Sequence, residues 1–244
     1  MANSIKKTAR ICGSVYLFEI IAGLFAEAFV RDKLIVSGNI SATTNNIVSS
    51  GFLWRLGFAS DLVMLVCDVA VTMLLYVLLK QVNKNMALMA AAFSLVTDAI
   101  QGVTKIFHFA PLFILQNSLS TNAFEPNQQQ ALVRLSLNLH NYGNMIGLVF
   151  FSFHCILIGY LLFKSVYFPG ILGGLMIVTG LCYLTNSFSW FLFPSFADLI
   201  YPFILVPCLV GELSFSLFLI VKGINRSAGT EAGKRSFTAV QTRP

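Results

Sequence analysis

Glu19, Asp68, His154 and Glu212 each fall about ten to twelve residues in from the end of a different apolar run. A helix rises ~1.5 Å per residue and the hydrocarbon core of a bilayer is ~30 Å thick, so that offset predicts one shared depth, near the midplane. Charge is costly there, and an ionisable group inside a span is a candidate for function. No Lys or Arg shares that depth. Three carboxylates in a low dielectric cannot all stay ionised without a counter-charge. A proton or small cation is therefore the natural ligand, with His154 able to pass protons on. The same four donors also suit a hard or borderline divalent metal, although no metal motif such as His-Glu-x-x-His occurs.

A second tier of polar residues lies nearer one membrane face. Glu27, Asp61, His140 and Asn144 are the candidates for an outer vestibule leading to the midplane quartet. His140, Asn144, Gly147 and His154 share a stripe of about 80° on one helix. Gly143 and Gly147 form a small-xxx-small pair that would let a neighbouring helix approach it. Arg31 follows Glu27 by four residues, which predicts an ion pair. Asp98 and Lys105 are expected to pair in the same way. His108 and His140 are expected to be solvated rather than ligating. Protonated acids bonded to Ser, Thr or Asn on adjacent helices would explain the same residues by packing alone, and that reading stands beside the functional one.

The elements that must hold these groups are transmembrane helices. The chain has 244 residues, of which 57% are apolar and 11% charged, with a mean hydropathy of +0.78; a soluble domain carries ~25% charged residues. Six runs reach the ~20 residues a span requires, at 11–30, 57–79, 86–105, 143–163, 169–188 and 201–221. The fold class read from this is all-α, a polytopic bundle of six transmembrane helices occupying residues 1–223, followed by a disordered cytoplasmic tail over 224–244. The first run also imitates a signal peptide ending at Ala26-Glu27-Ala28, but Glu19 interrupts its apolar stretch and it is expected to remain as the first helix. Ser41 is placed to cap a short outer interfacial helix. Residues from 116 read as a Ser/Asn loop. Glu125-Pro126 then reads as the start of one long fourth helix that runs into the bilayer.

Lys and Arg set the expected orientation. With both termini cytoplasmic, eleven basic residues fall inside and five at the outer side or its margin. They sit at helix ends and in the tail with no aromatic-interleaved patch, so nucleic acid is not an expected partner. Five Cys all lie in apolar runs without a Cys-x-x-Cys spacing and read as small hydrophobes. No Gly-x-Ser-x-Gly elbow, phosphate loop or dinucleotide fingerprint is present. The two three-helix halves show no convincing inverted repeat.

The runs FAEAFVR (25–31), WRLGFASDL (54–62), CDV (67–69) and LLYVLLKQVNKNMALMAAAF (74–93) resemble a known family. So do IGLVFFSFHCILIGYLLFKS (146–165) and PGILGGLMIVTGLCYLTNSF (169–188). The family is the set of bacterial integral membrane proteins called domain of unknown function 4386, and the resemblance covers residues 10–223. It implies six helices in a bacterial inner membrane and supplies no activity. Glu27, Asp61, Asp68, His154 and Glu212 lie in matching stretches. Asp98 and Lys105 fall where the family is apolar or neutral, which leaves them outside the expected site.

The expected function is binding or translocation of a proton, cation or small polar solute through a midplane cavity. Two alternatives stay open: a metal-dependent intramembrane enzyme using the same quartet, and a non-catalytic assembly or stress protein. The lipid bilayer and a proton or small cation are the expected partners, and no cofactor beyond that divalent metal is expected.

Overall fold

Pro, Asn and Gly punctuate this apolar chain, and helices start and stop where they stand. The computed structural model describes residues 2–121 and 124–224, with side chains over 4–116 and 124–224. Every regular element in them is helical. Helix α1 (Ala2–Leu24) widens into a π-helical segment (Phe25–Arg31) and ends as the short α2 (Asp32–Leu34). Then come α3 (Ile40–Ser49), α4 (Gly51–Leu79), α5 (Lys84–Thr121), α6 (Pro126–Lys164), α7 (Gly170–Leu192), α8 (Pro194–Ile200) and α9 (Leu205–Val221).

The caps explain the boundaries. Asn83 Oδ1 accepts the Met86 N–H at the start of α5. Glu125 precedes α6, and its N–H donates to Gln128 Oε1, the returning half of a capping box, with Pro126 at the first helical position. The expected short helix forms as α3, but Asn39 rather than Ser41 caps it, because Asn39 Oδ1 accepts from Ala42 N. The expected Ser/Asn loop from 116 is helix as far as Thr121; no Gly or Pro breaks the chain between Pro111 and that point. The predicted tail, from 225 onward, lies outside the described residues.

Among the described residues, five helices are long and apolar enough to cross a membrane, with a sixth span if Pro194–Ile200 and Leu205–Val221, bent by 54°, count as one. The expected sixth apolar run over 201–221 is helical from Leu205 to Val221. Pro202 offers no N–H to a helical ladder, and α9 begins only at Leu205. The fourth long helix runs unbroken over 39 residues, as its start signal and lack of breakers predict.

The chain divides into two compact units. One comprises residues up to Leu17, 69–95 and those from Leu148 onward; the other comprises 18–68 and 96–147. In the first, helices approach at small residues: an added Cβ on Gly13 would meet Ser216 O at 2.7 Å, and one on Gly159 would meet Gly173 O at 2.7 Å. In the second, an apolar core gathers Val30, Leu34, Ile47, Trp54, Leu112 and Val133.

Candidate functional site

The second unit contains a buried ionic cluster built on Asp61 of α4. Arg31 Nη1 donates to Asp61 Oδ2 at 2.7 Å. Lys105 Nζ of α5 lies 3.1 Å from Asp61 Oδ1, a charge contact rather than an aligned hydrogen bond. Arg31 Nε donates to Glu27 Oε2 at 2.7 Å. Asp61 and His108 are both 0% exposed, Lys105 is 3% exposed, and the Glu27 side chain is 48% exposed at the rim. Removing a charge from such a set leaves its partner buried and unpaired, at a cost of about 3–5 kcal/mol.

Local irregularities place these side chains. Arg31 closes the π-helical segment, where the Asp32 N–H reaches back five residues to Glu27 O; such wide turns are rare and frequent at functional sites. On α5, Pro111 has no N–H to give Phe107 O, and Ser136 Oγ of α6 donates to that carbonyl instead at 2.6 Å. Trp54 Nε1 donates to His108 O at 3.1 Å, and its ring centroid lies 4.5 Å from that of His108. Gly143 lets α6 close on α5, since an added Cβ there would overlap the Thr104 side chain. Thr104 O in turn meets His140 Nδ1 at 3.2 Å.

Hydrogen-bond chemistry fixes the histidine tautomers. A guanidinium has no lone pair, so His108 Nδ1, 3.0 Å from Arg31 Nη1, accepts. The His108 proton therefore sits on Nε2, a buried atom with no partner among the described residues. A carbonyl only accepts, so His140 carries its proton on Nδ1. The two rings stand edge to face with centroids 5.2 Å apart.

Glu27, Asp61 and His140 thus come together, joined through Arg31 and His108. Asn144 lies one turn along α6 from His140, half-buried. Three expectations are corrected. Lys105 pairs with Asp61 rather than Asp98 and belongs to the cluster instead of standing outside it. His108 and His140 are buried rather than solvated, because α5 continues well past Lys105.

The midplane quartet divides between the units. Glu19, buried, and Asp68, half-buried, belong to the second, where the Asp98 carboxyl is a neighbour of Asp68. His154 and Glu212 belong to the first and share a neighbourhood. His154 donates from Nδ1 to Ala90 O at 2.9 Å and stacks on Phe151. Phe151 meets Tyr183 edge-on, and the Tyr183 hydroxyl donates to Glu212 Oε1 at 3.2 Å. No group of three or more His, Cys, Asp or Glu side chains placed to hold a metal ion occurs among the described residues.

Long apolar helices enclosing a charged cluster define a polytopic α-helical membrane protein. The chain belongs to the family described as Domain of unknown function (DUF4386), which it matches over residues 11–223. A protein of Archaeoglobus fulgidus described as uncharacterized is 26% identical over 159 residues, 65% of this chain and 78% of that protein. No solved structure matches the chain.

Proposed function

We propose that this protein binds a small polar solute within its membrane helices, at the Arg31–Asp61–Lys105–His108 cluster, as a step in moving that solute across the bilayer. The observation that carries the reading is a pair of buried polar atoms left unmet within the charged cluster. His108 Nε2, a donor, and Asp61 Oδ1, an acceptor in charge contact with Lys105, meet no hydrogen-bond partner among the described residues. Buried polar groups are ordinarily bonded, so an unmet donor and an unmet acceptor in one cluster favour a small ligand that brings polar groups of its own. The half-exposed Glu27 offers a route for hydration or approach. In this reading Glu19, Asp68, His154 and Glu212 serve as proton- or cation-binding groups coupled to the solute. Both termini lie on the cytoplasmic side of a bacterial inner membrane, as the excess of Lys and Arg favours.

Trp54 is a built-in reporter, because its ring contacts His108. The chain has two Trp, so Trp190→Phe isolates it. Neutral polar solutes, anions and cations are titrated against this variant in nanodiscs while Trp54 emission is followed. A saturable change that is lost on adding Lys105→Met supports the site. Flat titrations throughout, or a change that Lys105→Met leaves intact, overturn it.

A further inference from the structure

We infer that a groove between the α2–α3 turn and α6, apart from the charged cluster, binds a phospholipid of one negative charge whose headgroup carries hydroxyls. The groove has a volume of about 240 Å³ and lies within the second unit. Sites that enclose a drug-sized ligand run to ~300–1,000 Å³, so this one suits a headgroup whose chains stay outside. Ile35, Val36, Ile40 and Leu137 give it an apolar lining, and Ser37, Arg134, Asn138 and Asn141 a polar one.

The two walls use their polar groups differently. On the turn, Thr43 Oγ1 accepts from Val36 N at 2.9 Å and Asn39 Oδ1 accepts from Ala42 N at 2.9 Å, so these groups hold the shape of their own wall. On α6, Arg134, Asn138 and Asn141 follow at i, i+4 and i+7, which is one helix face, and all three are exposed. Their side chains make no hydrogen bond or ion pair among the described residues.

Charge and hydrogen-bond type then select the ligand. Arg134 is the one ionisable side chain among the described residues lining the groove. A phosphate diester answers that charge; a choline or ethanolamine headgroup would add a cation with no carboxylate to meet it. Amides and a hydroxyl both donate and accept, which matches the hydroxyls of a glycerol headgroup. Lipid is also at hand. The apolar run of α6 starts at Gly143, and Asn141 and Asn138 stand ~3 and ~8 Å before it at 1.5 Å per residue, the depth of the headgroup layer. Leu135 and Leu139 are exposed on the same stretch of helix.

The test uses the full chain, delipidated in detergent, with bound lipid counted by native mass spectrometry. Phosphatidylglycerol, phosphatidylethanolamine and phosphatidylcholine of equal chain length are titrated in turn, and free glycerol 1-phosphate is added as a competitor. Saturable binding of phosphatidylglycerol is expected, about tenfold tighter than the other two lipids and indifferent to glycerol 1-phosphate. Arg134→Gln is expected to weaken it about tenfold. Lys33→Gln, the same change of charge on an exposed α2 residue outside the groove, is expected to leave it unaltered. Asn138→Asp puts an acid in the groove and is expected to turn the preference toward phosphatidylethanolamine, a reversal that misfolding could not produce. Equal binding of the three lipids overturns the inference, and so does a preference that Arg134→Gln leaves intact or that Lys33→Gln reduces as much. Displacement of the lipid by an equal concentration of glycerol 1-phosphate would assign the groove to a soluble phosphate ester and overturn the lipid.

Discussion

Gly57 of α4 and Val30 of the π-helical segment touch so closely that a Cβ on Gly57 would meet Val30 Cγ1 at 2.7 Å. Val30 is the residue before Arg31, and Gly57 lies one turn before Asp61, so this contact sets the approach that puts the guanidinium on the carboxylate. Gly57→Ala is expected to lower stability by about 1–3 kcal/mol, the usual range for overpacking a filled interior. Val30 is β-branched and stiff at χ1, so it cannot simply swing aside. Adding Val30→Ala to Gly57→Ala is expected to restore most of the loss. Unfolding curves of the two single variants and the double give the coupling; simple additivity would show that the contact does not govern the fit.

Asp61 holds two cations, and its removal therefore differs from theirs. Asp61→Asn leaves Arg31 and Lys105 buried side by side and is expected to cost about 3–5 kcal/mol. Lys105→Met leaves Asp61 still paired with Arg31 at 2.7 Å and is expected to cost less. Their combination removes one charge of each sign, so the double variant is expected to be more stable than Asp61→Asn alone. Denaturation in a fixed detergent ranks the three. A double variant weaker than Asp61→Asn would mean that the cluster's charges are not balanced as the distances imply.

Ser136 and Pro111 are linked through a carbonyl neither of them owns. Ser136 Oγ bonds Phe107 O, the group that an ordinary residue at 111 would satisfy with its own N–H. Ser136→Ala in the native background leaves that acceptor unmet and is expected to cost about 1–3 kcal/mol. In a Pro111→Ala background the helix supplies the missing donor, and the same substitution is expected to cost less than half as much. Thermal unfolding of the four proteins measures this.

Local patterns made much of the fold readable. Glu125-Pro126 and the unbroken run behind them mark α6, the four-residue spacing of Glu27 and Arg31 marks their pair, and Gly143 marks a close helix contact. Partners across helices left no such pattern. Asp98 and Lys105 share a helix face, yet seven residues is two turns and about 10 Å of rise, too far for an ion pair. Lys105 instead meets Asp61, forty-four residues away, and only the rotation of α4 against α5 decides that. His108 read as solvated because the apolar run stops at Lys105, whereas α5 goes on through Pro111 to Thr121. The π-helical segment has no sequence signature, and it is what carries Arg31 to Asp61. Arg31 and Lys105 could have been found by one question, namely which buried cation answers Asp61.

The histidines offer the sharpest check on the cluster, because the chain has three of them and the structure gives each a defined tautomer. His108 accepts at Nδ1 from Arg31 and so keeps its proton on Nε2. His140 and His154 both donate from Nδ1, to Thr104 O and Ala90 O. Nitrogen-15 spectra of imidazole-labelled protein at neutral pH are expected to show one Nε2–H ring and two Nδ1–H rings, with the odd one assigned by its loss in His108→Gln. Arg31→Met takes away the donor that holds His108 Nδ1, so in that variant the His108 signals are expected to lose their single-tautomer pattern while His154 stays unchanged. A wild-type His108 protonated on Nδ1 would mean that Arg31 does not bond it, and the unmet donor assigned to Nε2 would vanish with that bond.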